Sequence, residues 1–392
     1  LGVWWSRSNK YGCIAGMLVG LFLTGFFFFW GKGNDHWLAQ LIEPQPRRRP
    51  LTGPDAEALR LAEDNGIGAL LWQALAEAEV LDHMAEGLRD GLREIRDRET
   101  ALDLILTGEA RRLVEALLED GHPVLALKGL ALRGALYRPR GWVRGPGDVD
   151  LMLPRERLPR AEGLLRRWGW VPAGKHPPEK YRNHHHIEPH IHPDLPSVVV
   201  DVHWSPVKAP HPFALDLESW WRRSVPQEGG PEGLRRLDDL DGLVHIALQV
   251  DHDDSYAGKV RGLFDLLAFA AHRRVDGRSL AARAREVGGL TEVSRAFGLA
   301  HRLLGLPAPA GLPLSGGPRG LVGVLWRRAA ERALFRRLRP SRLPAWYLRY
   351  AVEVLGQDRG LPRSAWALMR PVWSNPRLGG QGFDWDEPAP PA

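Results

Sequence analysis

Two short apolar segments of this chain carry aspartates whose spacing could bind metal ions. Asp148 and Asp150 open the segment DVDLML, and Asp201 lies inside the segment SVVVDVHW. Side chains alternate between the two faces of a strand, so Asp148 and Asp150 are expected on one face with Cα atoms about 6.5–7 Å apart. Carboxylates this close repel each other and are costly to bury alone, so the pattern predicts a cation between them.

Magnesium is the cation that fits this pattern, with Mn²⁺ as the alternative. Mg²⁺ binds a few carboxylates together with phosphate oxygens, and two ions about 3.5–4 Å apart can hold the attacking and leaving oxygens of a phosphoryl displacement. If the strand of Asp201 lies beside that of Asp148 and Asp150, the three carboxylates form a triad in which Asp201 also accepts the proton of an attacking hydroxyl. A surface strand whose outward face is simply acidic is the competing interpretation.

A lysine at the end of a buried strand indicates a phosphate site. The segment VLALKGLALRG predicts a strand that runs directly into Lys128 and Gly129 and is followed by a short helical stretch. An ammonium group beside the backbone amides of a helix start suits a triphosphate. Alternatively, Lys128 is a solvated residue at the end of a strand.

The histidine-rich segment NHHHIEPHIH, residues 183–192, allows three interpretations. If it is extended, one face carries His184, His186, Glu188, His190 and His192, which could bind zinc or another transition metal. If instead it pairs antiparallel with SVVVDVHW, its polar face lines the cleft of Asp201, and His186 and His203 become site-lining residues. The third interpretation is that these histidines are polar strand positions without a role.

The ordered combination of these segments resembles a known family. It comprises VLALKG, an arginine shortly before GDVDLML, then VVVDVHW, and then a helical region that contains LVHIALQVDH and LFDLL. Over roughly residues 102–272 the chain resembles the bacterial uncharacterised nucleotidyltransferases of the polymerase-beta-like superfamily. It departs from the superfamily in having lysine and glycine where glycine and serine are more usual. The histidine cluster and the apolar N-terminal run are further departures.

The resemblance implies a two-metal transfer of a nucleoside monophosphate from an NTP, with release of pyrophosphate. ATP is the leading candidate for the NTP, and the acceptor is a hydroxyl-bearing molecule that the sequence does not identify. The residues carried over are the metal carboxylates Asp148, Asp150 and Asp201, and the triphosphate-binding residues Lys128, Gly129 and Arg144.

Strands that alternate with helices between two helical regions predict an α+β fold, with a small mixed sheet at its centre. The predicted organisation is a transmembrane or signal-anchor segment or a misassigned gene start (1–31), a linker (32–54), a helical region (55–120), the nucleotidyltransferase core (121–210), a helical domain (211–374) and a disordered tail (375–392). The run 12–30 has no charge and is about as long as a membrane-crossing helix requires.

Composition narrows the classes of function. The net charge of +6 comes from an arginine-rich chain, which is typical of a GC-biased coding sequence, so nucleic acid is not the expected partner. The single cysteine, Cys13, excludes an intrachain disulfide and a Cys-based zinc cluster. No GxxxxGK[ST] or GxSxG motif occurs, which argues against a Walker A NTPase and a serine hydrolase.

An enzyme that uses NTP is expected in the cytoplasm, where residues 12–30 could anchor it to the inner face of the membrane. Two alternatives to a nucleotidyltransferase stay open at this point. One is a metal-dependent hydrolase built on the histidine cluster. The other is a non-catalytic, membrane-tethered module that binds nucleotide.

Overall fold

The computed structural model describes residues 54–314, apart from 146, 175–176, 184, 196, 210 and 254–259. The segments predicted as membrane anchor and tail, most of the predicted linker, and the last part of the predicted helical domain (315–374) lie outside the described residues. No helix in the described part of the chain is both long enough and apolar enough to span a bilayer.

Helices enclose one mixed sheet. The helices are α1 (Pro54–Asp64), α2 (Gly68–Glu77), α3 (Glu86–Glu119), α4 (Lys128–Leu132), α5 (Leu158–Arg167), α6 (Pro178–Arg182), α7 (Leu217–Arg223), α8 (Asp239–Leu248), α9 (Val260–His272), α10 (Gly277–Glu286) and α11 (Leu290–Leu304). The strands are β1 (Leu125–Ala126), β2 (Val149–Met152), β3 (Val171–Pro172), β4 (His190–Ile191), β5 (Val199–His203), β6 (Val225–Pro226) and β7 (Arg235–Arg236). The predicted α+β class, a small mixed sheet flanked by helical regions, is confirmed.

The sheet has the strand order β3-β4-β5-β2-β1-β7-β6. Its central pair, β2 and β5, is parallel, and β1 is antiparallel to β2 and parallel to β7. The sheet therefore draws β6 and β7 from the chain beyond the predicted core segment 121–210.

Helices cover one face of the central strands β2 and β5. The candidate active site lies on the opposite face. Val149 and Leu151 of β2 and Val200 and Val202 of β5 are fully buried and pack in one cluster with leucines of α3 and α5. Because side chains alternate along a strand, Asp150 and the residues beside it point to the other face.

The long helix α3 supports the sheet and also fixes the helix before it. Its apolar stripe, which includes Leu106, Leu113 and Leu117, faces the sheet. Near its middle, the buried carboxylate of Glu99 accepts hydrogen bonds from the backbone N–H groups of Gly68 and Ala69. These are two of the unpaired N–H groups at the start of α2, so Glu99 caps that helix from a distance.

Candidate active site

Asp150 and Asp201 lie directly opposite each other on adjacent parallel strands. Asp150 is only 5% exposed, Asp201 is half-buried, and Asp148 lies exposed just before β2. The prediction that the strand of Asp201 lies beside that of Asp148 and Asp150 is confirmed. Neighbouring residues of parallel strands project to the same face, so both carboxylates of the central pair face one cleft.

Asp201 has an electrostatic environment that disfavours its charge. Burial, together with the negative charges of Asp150 and Asp148, raises the pKa of Asp201 to about 7. Its Oδ1 atom is buried and makes no hydrogen bond with any described residue. A buried acceptor without a partner is unfavourable, so this oxygen is suited to a ligand that the protein itself does not supply.

Asp150 is held in its charged form by two neighbours. Lys128 Nζ lies 2.6 Å and His203 Nε2 lies 3.0 Å from Asp150 Oδ1. Burial opposes ionisation, but Lys128 and His203 together hold the pKa of Asp150 well below its usual range. Lys128 has a φ angle of +45°, which residues other than glycine seldom adopt. Backbone strain of this kind is concentrated at functional sites.

The donor set of this cleft fits a divalent cation. Asp150, Asp201 and His203 each offer one ligand atom, and these atoms all lie within 4.8 Å of one another. Among the described residues, this is the one group of three or more histidine, cysteine or acidic side chains that converge in this way. The unpaired Oδ1 of Asp201 is the independent observation that supports a cation here.

Arginine side chains converge beside the cleft, at Gly129. A Cβ atom on Gly129 would lie 2.4 Å from Nη1 of Arg144 and 3.1 Å from Nη1 of Arg133. The family resemblance implies that Gly129 and Arg144 both bind the triphosphate, and in the structure the two residues are adjacent. Arg144 donates from Nη2 to Asp265 Oδ2 at 2.8 Å, so this guanidinium is fixed in place by α9.

Arg261, also on α9, completes this arginine cluster, which we define as Arg133, Arg144 and Arg261. Its Nη1 donates to the carbonyl oxygen of Gly145 at 2.9 Å, and its Nη2 would lie 3.3 Å from a Cβ atom on Gly147. Burial and the charge of Arg144 lower the pKa of Arg261 to about 10, at which it is still protonated at neutral pH.

Comparison with known proteins decides the family. A family model described as "Uncharacterised nucleotidyltransferase" matches residues 54–305. The chain belongs to this nucleotidyltransferase family. No curated protein matches it. The chain is also similar to the solution structure of the antibiotic-resistance factor ANT(2'')-Ia. The match covers 51% of this chain and 97% of the ANT(2'')-Ia chain, with 17% sequence identity and a TM-score of 0.33.

In this nucleotidyltransferase, the histidine-rich segment is not one extended strand, and it pairs antiparallel with β5, as the second interpretation expects. Only His190–Ile191 is a strand, and a single antiparallel bridge joins His186 to His203. The helix α6 and a turn precede this bridge, so two consecutive rings, those of His185 and His186, reach the same neighbour. Their centroids lie 5.0 Å and 5.4 Å from that of His203.

The other histidines of that segment lie away from the cleft. Nδ1 of His190 lies 2.7 Å from the carbonyl oxygen of Glu188, and His192 packs against Trp170. His184 lies outside the described residues. The described members of the proposed zinc set therefore do not converge, which removes the geometric basis of the histidine-based hydrolase.

No motif of the sequence points to Arg133. Arg261 allows two interpretations from the sequence, a residue that neutralises phosphate and, as the favoured one, part of a solvated basic turn. The structure instead places Arg261 in α9, with its guanidinium hydrogen-bonded to the backbone of Gly145. The spacing held a usable signal, because Arg261 precedes Asp265 by four residues and Arg133 follows Gly129 by four, so each pair shares one face of its helical segment. The apolar segment GLFDLLAF predicts that Asp265 is buried and paired with an arginine, and this is confirmed by its contact with Arg144.

Proposed function

We propose that this nucleotidyltransferase moves a nucleoside monophosphate from an NTP to a hydroxyl-bearing acceptor and releases pyrophosphate. The observation that carries the proposal is the pair Asp150 and Asp201, which face each other across parallel strands, while Oδ1 of Asp201 is buried and makes no hydrogen bond with a described residue. Nothing in the packing of the sheet requires two opposed acidic residues, and their repulsion works against the fold. A divalent cation removes that repulsion.

The metal site would consist of Asp150 and Asp201, with Asp148 at its exposed edge. The family resemblance implies two Mg²⁺ ions, and three carboxylates at one cleft are a suitable ligand set for them. When bound, such ions neutralise the carboxylates and the phosphate oxygens and stabilise the charge that develops during phosphoryl transfer.

The triphosphate would lie against Lys128 and the arginine cluster. Gly129 supports this arrangement because it has no side chain to separate the phosphates from the guanidinium groups of Arg144 and Arg133. Nη1 of Arg133 is buried and makes no hydrogen bond with the described residues, so a donor is available there. Guanidinium groups match the geometry of phosphate oxygens and remain charged when they are partly buried.

Lys128 would change partner when the site is loaded. In the structure its ammonium group neutralises Asp150. With the carboxylates neutralised by a divalent ion, the ammonium group of Lys128 would instead contact the triphosphate in the same cleft. Its flexible stem, with one end fixed at the end of β1, permits this movement.

The transfer step requires a base for the acceptor. The acceptor hydroxyl oxygen forms a bond to the α-phosphorus, the bond from that phosphorus to the bridging oxygen of the β-phosphate breaks, and pyrophosphate leaves. Asp201 is the candidate to accept the hydroxyl proton, because its carboxylate lies directly opposite Asp150 and faces the cleft in which the acceptor and the phosphates would meet.

The proposed location follows from the substrate. An enzyme that consumes NTP, with ATP as the leading candidate, works in the cytoplasm, and the apolar run 12–30 would attach it to the inner face of the membrane. Fractionation of cells that express the full chain tests this attachment, because deletion of residues 12–30 should move the protein from the membrane fraction to the supernatant.

The decisive experiment exposes the full chain to each labelled NTP in turn, with Mg²⁺ or Mn²⁺, in a cell extract. Mass analysis then identifies the molecule that gains a nucleoside monophosphate. The matched control is Asp201→Asn, which removes a charge and keeps the volume. The proposal is supported if labelling depends on the divalent ion and on Asp201. It is wrong if no NTP labels any component, or if the control labels as well as the wild type does.

A further inference from the structure

His245 is a buried histidine beside the candidate active site. It lies on α8, and its residue is 1% exposed. Lys128, His203 and Asp150 are all close enough to act on it electrostatically. The helix α8 therefore brings a further histidine to the side chains that hold Asp150 in its charged form.

The hydrogen bonds of this ring show which nitrogen carries the proton. One ring nitrogen of His245 forms a hydrogen bond with the backbone of Pro206. Proline has no backbone N–H, so the partner is its carbonyl oxygen and the ring is the donor. Nε2 is buried and makes no hydrogen bond with any described residue, so the donor is Nδ1–H. The neutral ring therefore keeps a lone pair on Nε2.

The imidazole of His245 is neutral at the pH at which the enzyme works. Burial, followed by the charges of Lys128 and His203, lowers the pKa of His245 to about 3. Nε2 is thus a buried hydrogen-bond acceptor. An acceptor that is buried without a partner is unfavourable, so a donor that reaches Nε2 would remove a cost from the fold.

A small cavity between β1, α4, α8 and α9 is lined by both His245 and Lys128. Its volume is about 20 Å³, which is room for one water molecule and too little for a nucleobase. Arg236 also lines it, but all of its guanidinium nitrogens already donate to Glu228, Asp239 or a backbone carbonyl. The other described residues that line the cavity are apolar. Lys128 is therefore the side chain in this cavity that can turn a donor towards Nε2.

We propose that His245 is a positioning residue for Lys128, whose ammonium group donates one N–H to Nε2 of His245 when it leaves Asp150 for the triphosphate. The inference rests on the proposed function in taking Lys128 as a ligand of the triphosphate. An ammonium group has three N–H donors on a flexible stem, so one fixed contact restricts where the other two point. His245 itself touches neither the metal ions nor the substrate.

The test measures binding of a nucleotide that cannot react, so it needs no acceptor. Isothermal titration calorimetry of the full chain with MgCl₂ and the α,β-methylene analogue of each NTP gives the Kd. His245→Leu removes the acceptor and should weaken binding about tenfold, because hydrogen bonds of charged groups contribute most. His245→Gln places an amide oxygen at the position of Nε2 and should stay within about threefold of the wild type.

His190→Leu is the matched control. His190 is also buried, with Nδ1 close to the carbonyl oxygen of Glu188 and with Nε2 unpaired among the described residues. It lies opposite Val200 on β4, and Val200 belongs to the helix-covered face of the sheet. The control should bind the analogue as the wild type does.

A second substitution separates a positioning role from a structural one. Lys128→Gln should weaken binding of the analogue by itself. In the double variant, His245→Leu should weaken it no further, because both residues act through one contact. If the two losses add, His245 supports the fold and not Lys128, and the inference is wrong.

A further readout uses the wild type, so it does not depend on the folding of His245→Leu. In protein labelled with ¹⁵N-histidine, the resonance of His245 Nε2 is assigned by its absence in His245→Gln. It should shift when the analogue and MgCl₂ are added, and this shift should be absent in Lys128→Gln.

The inference is overturned if His245→Leu is folded and binds the analogue as tightly as the wild type, or if the Nε2 resonance of the wild type does not shift. The proposed function still stands in those cases when Lys128→Gln alone weakens binding. If Lys128→Gln binds as the wild type does, the assignment of Lys128 to the triphosphate is wrong as well. If the wild type binds no analogue, the proposed function fails with the inference.

Discussion

Asp201 shows at the level of one residue how this site conflicts with the stability of its own fold. The carboxylate is half-buried, faces Asp150 across parallel strands and is also close to Asp148. Each of these conditions makes a negative charge on Asp201 less favourable. Such residues are kept for binding or catalysis, since a polar neutral side chain of the same size would suit the sheet better.

Asp201→Asn should therefore separate stability from activity. Removal of the charge relieves repulsion with Asp150 and Asp148, so the melting temperature in EDTA should stay the same or rise by a few degrees. Nucleotidyl transfer should fall about 100-fold or more, because one metal ligand and the candidate base are lost together. Thermal unfolding and transfer assays on the same preparation test this. A clear loss of stability would instead mean that Asp201 has a structural role.

At Gly129, the addition of a single carbon atom is expected to impair nucleotide binding. In Gly129→Ala, the added Cβ atom would lie 2.4 Å from Arg144 Nη1, and this guanidinium cannot move freely because Asp265 fixes it. We expect the KM for NTP to rise about tenfold, with a smaller change in kcat, because binding of the phosphates is impaired.

Gly108→Ala is the control for Gly129→Ala. Gly108 is exposed on α3, and a Cβ atom there would meet nothing within 4 Å. Alanine at that position should leave the kinetics unchanged and stabilise the helix by up to about 1 kcal/mol. If both glycine variants bind NTP as the wild type does, the arginine cluster does not hold the phosphates.

Individual site residues could be predicted from the sequence only where a local pattern shows their direction. The two-residue period of a strand indicates that Asp148 and Asp150 share a face, and a carboxylate among valines marks Asp201. No local pattern shows that Arg133 and Arg261 both lie near Arg144, because the two come from segments more than 100 residues apart. Their convergence depends on how α9 packs on the sheet.

At the level of elements, α9 connects the C-terminal helices to the candidate active site. Its first turn supplies Arg261, and the next turn supplies Asp265, which fixes Arg144 and also accepts a hydrogen bond from Tyr137. Arg261 in addition donates to the backbone of Gly145, in the loop that leads to β2. One helix therefore orients the arginine cluster and supports the loop before the metal carboxylates.

Arg261→Gln should raise the KM for NTP about tenfold or more, because it removes a charged phosphate donor. Arg261→Lys should recover part of the affinity, since it restores the charge without the planar guanidinium geometry. Arg285→Gln is the matched control, because Arg285 is exposed on α10. Steady-state kinetics with circular dichroism tests this prediction. Equal KM values for Arg261→Gln and Arg285→Gln would exclude Arg261 from the nucleotide site.

Long periodic elements could be predicted well, and short ones less well. The apolar stripe predicted a helix from about His83 to Glu119, and α3 is Glu86–Glu119. The helical pattern from Ser279 to Leu304 predicts one helix, but the structure has two, α10 and α11. They are separated by a turn in which Gly288 adopts a φ of +70°. In the histidine-rich segment, a few alternating residues do not form one strand. So short a run contributes little to the stability of a strand, and the turn after α6 interrupts it.

At the level of the whole molecule, a network of charges joins the edge of the sheet to the C-terminal helices. Glu228, in the loop between β6 and β7, accepts hydrogen bonds at 2.7 Å and 2.8 Å from Arg236 of β7. It also pairs with Arg273, which follows α9. Arg236 is 5% exposed and donates further to Asp239 at the start of α8. The packing of α8 and α9 on the sheet thus depends partly on one carboxylate.

Glu228 should make the free energy of unfolding depend on pH in the acidic range. Burial opposes the effect, but Arg236 and Arg273 lower the pKa of Glu228 to about 2, below its usual value in an unfolded chain. A carboxylate whose pKa is lowered by folding stabilises the protein above the unfolded pKa, and this contribution is lost as pH falls from about 4.5 towards 2. The side chain is 40% exposed, so after allowance for solvent screening we expect about 1 kcal/mol.

Urea unfolding of the wild type and of Glu228→Gln between pH 7 and pH 3 measures this contribution. The wild type should be more stable by about 1 kcal/mol at pH 7, and the difference should shrink as the pH approaches 3, because Glu228 binds a proton in the unfolded chain below about pH 4.5 while it is still ionised in the folded protein. Glu115→Gln, which breaks an exposed pair with Arg111 on α3, should change the free energy of unfolding by less than about 0.5 kcal/mol at either pH. A difference between wild type and Glu228→Gln that is constant with pH would show that hydrogen bonding alone, and not the charge of Glu228, joins the sheet to these helices.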